Sequence, residues 1–220
     1  TTLYAEGMPY GFCMSSSNTD RRLLSSSTLA SACDEGEDVA TWAMGNAAWN
    51  AGNHTNTNFP WDEDCRFYLR NHTMRVTNLI LKRIHEVPFD EGDPDFNKRT
   101  TGEAYFMRAM LLWEGVYRYG GMPIVRDVID PTDFSQRPRN SFSDCIDSIL
   151  IDCDRATQYL PDYYTDNAKL GRATRIAALA LKARVLLYAA SPLFNTSTPY
   201  MSFPGHEDLI GYGNYDRSEE

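Results

Sequence analysis

The chain has 220 residues, and its 21 Lys and Arg against 30 Asp and Glu give a formal net charge of −9 at pH 7. This acidic balance argues against nucleic acid as a partner, because surfaces that bind phosphate backbones need a basic excess. The length is enough to bury a core in one or two domains. No apolar run approaches the ~18 residues that a membrane helix needs, so we expect a globular protein without a transmembrane helix.

The five cysteines are odd in number and widely spaced: Cys13, Cys33, Cys65, Cys145 and Cys153. With no Cys-x-x-Cys pair, they predict neither a zinc site nor a disulfide framework. Cys145 and Cys153 fall on one predicted helix, where a rise of ~1.5 Å per residue separates them by ~12 Å, too far for a disulfide. We expect the cysteines to act as small buried apolar residues.

The first sixty residues differ in composition from the rest of the chain. They are rich in Ser, Asn, Thr and Gly, which prefer turns and local backbone hydrogen bonds to helix interiors. Bulky residues such as Trp42 and Trp49 in the same stretch need burial. We therefore predict that residues 1–60 form a loop-rich segment with two short helices, packed on the rest of the protein.

Helical periodicity begins after Trp61, which we assign to the core. It predicts four helices, at residues 61–84, 101–119, 141–160 and 171–190. The first opens with three acids, suited to the positive end of a helix dipole. The second has apolar residues on two faces, so it should lie between neighbouring helices.

The third and fourth predicted helices have residues that are typical of helix ends. Ser141, with Asp144 three residues later, resembles a capping box. The fourth helix is rich in alanine, which lets another helix approach closely, and Pro192 ends it.

Helices two and four match at an offset of 71 residues, which places Ala109 on Ala180 and Tyr117 on Tyr188. This indicates two tetratricopeptide-like helical hairpins over residues 61–192, followed by the start of a further loop-rich region at 193–220. Two such units cannot bury both ends of their stack. Either residues 1–60 cover one end, or the chain is the front part of a longer protein.

The sequence has no helical His pair for zinc, no Gly-x-Ser-x-Gly and no glycine-rich phosphate loop. Residues 93–97 imitate the start of a calcium loop, but Lys98 stands where glycine is required and Ala104 where the bidentate Glu should be. A solvated acidic loop is the main interpretation, with irregular calcium binding as the lesser one. The acids of residues 34–38 as a glycosidase pair have the least support. We expect no enzymatic activity, no cofactor and no metal.

One cluster suggests ligand binding, because it combines aromatic rings with amides. Sugar rings have apolar C–H faces that stack on indole rings, and Asn side chains both donate to and accept from hydroxyls. Packing of a small subdomain is the alternative role, above all for Trp42. The candidate ligand-binding residues are Trp42, Trp49, Asn50, Asn53 and His54.

Several segments together resemble one family. The stretch from Gly102-Glu103-Ala104-Tyr105 through Arg108 to Tyr119-Gly120-Gly121-Met122-Pro123 is similar to the most recognisable segment of the SusD/RagB family of cell-surface nutrient-binding lipoproteins. Ala32 to Glu37, Gly45 to Asn50, the helix with Trp61, Tyr68, Arg75 and Asn78, and the alanine-rich stretch at 180–189 resemble further family segments in the same order.

This resemblance implies a mostly α fold in which tetratricopeptide-like hairpins support a loop-rich ligand-binding region. It implies capture of oligosaccharides, or peptides in some members, and delivery to a SusC-type TonB-dependent transporter without catalysis. The location implied is the Gram-negative outer membrane, through a lipid anchor upstream of Thr1. A tetratricopeptide-type interaction scaffold without a small ligand is a second alternative. The family's greater length implies that the chain corresponds to its N-terminal part.

Overall fold

A computed structural model describes residues 67–130 and 132–212 together with Tyr4, and for residues 67–70 it describes the backbone alone. This part of the chain is helical and has no β-strand, which confirms the predicted mostly α fold. Its α-helices are α1 (Phe67–Arg83), α2 (Phe96–Tyr119), α3 (Phe142–Tyr159) and α4 (Arg175–Ala190). Three short 3₁₀ helices lie at Ile84–Glu86, Asn167–Lys169 and Glu207–Leu209.

Packing divides the chain into two compact units, Thr2–His72 and a second unit of Thr1 with Thr73–Glu220. The second unit contains most of the described residues. Within residues 67–130 and 132–212, no helix is long and apolar enough to cross a membrane.

Two helices begin at residues other than those predicted. α2 begins at Phe96, five residues earlier, where Arg99 Nη1 and Nη2 donate to the Asp93 carboxylate at 3.0 and 2.5 Å and support the first turn. α4 begins at Arg175, four residues later. Gly171 there has φ +84°, outside the helical region, and the Thr174 hydroxyl caps the helix by accepting from the Ala177 N–H at 3.1 Å.

α3 begins as predicted, since the Ser141 hydroxyl accepts from the Asp144 N–H at 3.0 Å. Its apolar face lies against α2 and α4 and supplies much of the core. The core consists of buried residues from three helices and the segment after α4: Ala109, Leu112, Trp113, Val116, Phe142, Cys145, Ile146, Ile149, Cys153, Val185, Ala189 and Phe194.

Two of the five cysteines lie in this core. Cys145 and Cys153 are free and fully buried, as predicted for small apolar residues. Burial raises the pKa of both thiols, that of Cys153 to about 12, so both stay protonated at neutral pH. Cys13, Cys33 and Cys65 lie outside the described residues.

α2 is the interior helix that its two apolar faces predicted. Fifteen of its residues, from Arg99 to Val116, are buried. The matching positions of α4 differ, because Val116 is fully buried whereas Leu187 at the same offset is 74% exposed. Ile176 and Leu179 are exposed on the same helix. α2 and α4 therefore match in sequence but bury different positions.

The turn after α2 lies in close contact with backbone atoms that are distant in sequence. Gly121 N–H donates to Leu209 C=O at 2.7 Å. A Cβ on Gly121 would lie 2.0 Å from Asn140 O, and one on Gly120 would lie 2.1 Å from Leu209 O. Both glycines thus permit a backbone approach that a larger residue would prevent.

Substitution of Gly120 and Gly171 by alanine separates backbone strain from steric contact. Both have positive φ, 76° and 84°, but a Cβ on Gly171 meets nothing within 4 Å. We expect Gly171→Ala to lower the free energy of unfolding by about 1–2 kcal/mol through φ strain alone. Gly120→Ala should cost about 1–3 kcal/mol more, because the chain must shift away from Leu209 O and because ψ −149° at φ 76° is a conformation essentially confined to glycine. Urea denaturation measures both; equal losses would contradict the close approach.

Candidate functional site

The five predicted ligand-binding residues, Trp42, Trp49, Asn50, Asn53 and His54, lie outside the described residues, as does Trp61. Their role stays a prediction. The described structure instead shows what several other residues of the resembling segments do. Asn78 and Arg108 belong to a buried polar network that attaches a long loop to the helices, and the exposed Arg75 donates to the same loop.

The centre of this network is an ion pair between α2 and α3. Arg108 donates from Nε to Asp152 Oδ2 at 2.7 Å and from Nη2 to Asp152 Oδ1 at 2.8 Å. Arg108 is 5% and Asp152 2% exposed. The third guanidinium nitrogen, Nη1, donates to Asn78 Oδ1 on α1 at 3.0 Å. One arginine therefore connects three helices, in the planar two-point geometry that suits a carboxylate.

The loop after α2 is held by the same network. Asn78 Nδ2 donates to the carbonyls of Val125 and Asp127 at 3.0 and 3.2 Å, and Arg75 Nη1 donates to the carbonyl of Ile129. Arg126 reaches inward to Asp152 Oδ1 at 3.2 Å. These bonds satisfy loop carbonyls that would otherwise need water.

Arg126 also contacts α3 one turn before Asp152. Its Nη2 donates to the Ser148 hydroxyl at 2.7 Å. Asp152 therefore has two cationic neighbours and no accessible oxygen for a substrate or ion. The network has the properties of a rigid scaffold rather than of a reactive centre.

A second charged cluster lies at the start of α2. Asp93 accepts from Arg99, and Lys169 Nζ lies 3.2 Å from Asp93 Oδ1. These contacts, the Arg99 hydrogen bonds foremost, hold the pKa of Asp93 well below its usual range. The Asp93 carboxylate is thus engaged by cations, which disfavours the calcium alternative at this loop. Residues 67–130 and 132–212 contain no group of three His, Cys, Asp or Glu side chains arranged for a metal.

A further buried acid on α2 is paired across the fold. Glu103 is 3% exposed, and Arg172 Nη1 donates to both of its carboxylate oxygens at 3.0 Å. The preceding residue, Gly102, is closely packed, because a Cβ there would lie 2.8 Å from Leu160 Cγ. The Gly102-Glu103 pair therefore joins α2 to the α3–α4 connection by close packing and charge.

The sequence motifs predicted no role for Asp152, Arg126 or Ser148. A signal for two of them was present, since Ser148 and Asp152 stand four residues apart on the face of α3 that also carries Cys145 and Ile149. A carboxylate on an apolar helix face needs a buried cation. Arg108, within the interior helix α2, is the matching cation.

The fold and the buried network define a helical-hairpin protein whose long loop is attached to the helices by hydrogen bonds from Asn78 and by the ion pair of Arg126 with Asp152. Residues 17–187 match the model of a SusD-like family described as "Starch-binding associating with outer membrane". The match covers most of the chain, so the chain belongs to the SusD-like family. No curated protein is similar enough to count as a relative.

Solved structures agree with this family. A SusD-like protein from Bacteroides fragilis is 37% identical over 59% of this chain and 24% of its own, with a TM-score of 0.52. The protein BT4246, in its selenomethionine form, is 26% identical over 98% of this chain and 35% of its own, with a TM-score of 0.70. A laminarin-binding SusD-like protein, 23% identical over 69% and 31% of the two chains, shares the fold with a TM-score of 0.57.

The chain is much shorter than these proteins. The part of each solved chain that it covers ranges from 24% to 41%.

The network's contribution to stability can be tested with two arginine variants. We expect Arg108→Met to lower the free energy of unfolding by about 3–5 kcal/mol, because it leaves the buried Asp152 with Arg126 alone. Arg83→Met is the matched control, since its ion pair with Glu86 is 62% and 48% exposed and solvent screens such a pair, so its loss should change stability little. Denaturant unfolding at neutral pH measures both. Losses of similar size would show that the buried pair does not support the fold.

The depressed pKa of Asp93 predicts a pH dependence. A carboxyl group whose pKa is lower in the folded state stabilises the fold above its unfolded pKa of about 4, and this contribution is lost as the pH falls through the folded pKa. Asp93→Asn removes this ionisation, so the stability difference between parent and variant should be largest at pH 7 and should shrink below about pH 4. Thermal unfolding across pH 2–7 measures it, and parallel profiles would contradict the assignment.

Proposed function

We propose that this protein captures oligosaccharides at the outer face of the Gram-negative outer membrane, as a lipoprotein, and delivers them to a SusC-type TonB-dependent transporter without breaking a bond. The observation that carries the proposal is membership of a family described as starch-binding and associated with the outer membrane. The matched residues, 17–187, include all five predicted ligand-binding positions.

We assign the ligand contact to the loop-rich segment 1–60. Trp49 provides an aromatic platform, and Asn50 and Asn53 bind hydroxyl groups beside it; Trp42 and His54 complete the set. The chemistry supports a carbohydrate, because an indole face binds the apolar C–H side of a sugar ring. The Asn amides can both donate hydrogen bonds to the sugar hydroxyls and accept hydrogen bonds from them.

The helical part supports this function as a scaffold. Its buried carboxylates are engaged by arginines, as at Asp152 and Glu103, so they offer no acid or base to a ligand. This favours binding over hydrolysis.

A protein partner has support of its own. α4 exposes a row of apolar residues, among them Ile176, Leu179 and Leu187. A row of this kind on a helix favours a protein contact over a solvated face. It is consistent with docking on a transporter, and it is the observation that favours the second candidate function, a protein-interaction scaffold without a small ligand. Peptide binding by the same segment is the remaining alternative.

Isothermal titration of the full chain with maltoheptaose, laminarihexaose and a set of short peptides tests the proposal. We expect saturable binding of at least one oligosaccharide, weakened roughly tenfold or more by Trp49→Ala through loss of the stacking surface. Phe134→Ala, which removes an aromatic ring that is 89% exposed, is the control and should bind as the parent does.

Three results would contradict this assignment. Unchanged affinity in Trp49→Ala would remove Trp49 from the site. Binding of peptides alone would favour the peptide alternative, and co-purification with a transporter without any saturable small ligand would favour the scaffold.

A further inference from the structure

A cleft lies where the start of α2 meets the end of α3 and the α3–α4 connection. It has a volume of about 260 Å³. Three tyrosines, Tyr159, Tyr163 and Tyr164, contribute to its lining, and we name it the tyrosine cleft. Pockets for drug-sized ligands are typically larger than ~300 Å³, so this volume suits one small ring.

The tyrosine cleft is held open by contacts outside it. The Tyr164 hydroxyl donates to Ala173 C=O at 2.9 Å, and Arg175 N–H donates to Pro161 C=O at 2.8 Å. The Tyr159 ring lies beside Tyr105, with centroids 6.0 Å apart. These contacts hold Tyr159, Pro161 and Tyr164 in place before any ligand arrives, which reduces the entropy lost along that wall on binding.

The charges of the cleft do not favour an anion. Two of its cations, Arg99 and Lys169, are neutralised by the same carboxylate, that of Asp93. Asp95 and Asp166 also line the cleft and would repel a phosphate or sulfate. Lys98 is the lining cation that has no ion pair with any described residue.

Four polar side chains of the lining make no hydrogen bond or ion pair within residues 67–130 and 132–212. They are Asp95, Lys98, Tyr163 and Thr165. Tyr163 is also 73% exposed, although its ring is largely apolar. Together these groups offer an ammonium donor, a carboxylate acceptor, two hydroxyls and a free aromatic face. This mixture matches a ring with several hydroxyls and one apolar face.

We propose that the tyrosine cleft binds one uncharged pyranose ring of a glycan, with the C–H face of the sugar on Tyr163 and its hydroxyls bound by Asp95, Lys98 and Thr165. The choice of a sugar rests on the proposed function, but the residues are separate from the Trp49 segment. The protein would then have two carbohydrate-binding sites, each of which can be tested by itself.

Saturation-transfer NMR with the methyl glycosides of glucose, galactose and mannose tests the cleft alone. The measurements use the full chain carrying Trp49→Ala, which removes the platform of the other site. We expect a saturable signal from at least one glycoside, with affinity roughly two- to tenfold weaker when Tyr163→Ala is added. Tyr200→Ala, at a tyrosine that is 83% exposed elsewhere, is the matched control and should change nothing.

Lys98→Met provides an independent variant, because its side chain is at the rim and should not affect folding. A loss in both Tyr163→Ala and Lys98→Met supports the cleft. Equal affinities in the parent and Tyr163→Ala, or no signal from any glycoside, would overturn it. A response to inorganic phosphate in place of the glycosides would also overturn it and indicate an anion site.

Failure of the cleft and failure of the main proposal give different results. If only the cleft proposal fails, the parent still binds an oligosaccharide in a Trp49-dependent way. If only the Trp49 site fails, the glycoside signal stays and depends on Tyr163.

Discussion

The helical part of this protein depends on one buried guanidinium. Arg108 makes two hydrogen bonds to Asp152 on α3 and one to Asn78 on α1, so three helices share a single planar group. Taking a cation and an anion out of water costs several kcal/mol per ion, and only good geometry with further hydrogen bonds offsets it. Removal of one partner is costly because it leaves the other charge buried and unpaired.

The same constraint explains how a long loop is held without a β-sheet. The stretch that follows α2 has no regular structure, yet its carbonyls at Val125 and Asp127 accept from Asn78. Arg126 in turn closes the loop onto Asp152. The helices thus provide hydrogen-bond partners for a segment that could not provide its own.

The fold was predictable to a greater extent than the site. Periodicity and the Ser141 cap located α3 within one residue at each end, because local sequence determines these features. The start of α2 was missed because it depends on Arg99 binding Asp93. Pairing of Arg108 with Asp152 joins residues 44 apart, and the tyrosine cleft combines residues 95–99 with residues 159–169. Such contacts follow from tertiary packing, which a single sequence read by local pattern does not contain.

The glycine turn at the end of α2 affects the order in which contacts can form while the chain is being synthesised. Gly121 donates its N–H to the carbonyl of Leu209, so the partner that completes this turn is made 88 residues later. Contacts that close such long segments form slowly, because the chain loses loop entropy before they are made. A nascent chain that stops short of Leu209 therefore exposes the end of α2.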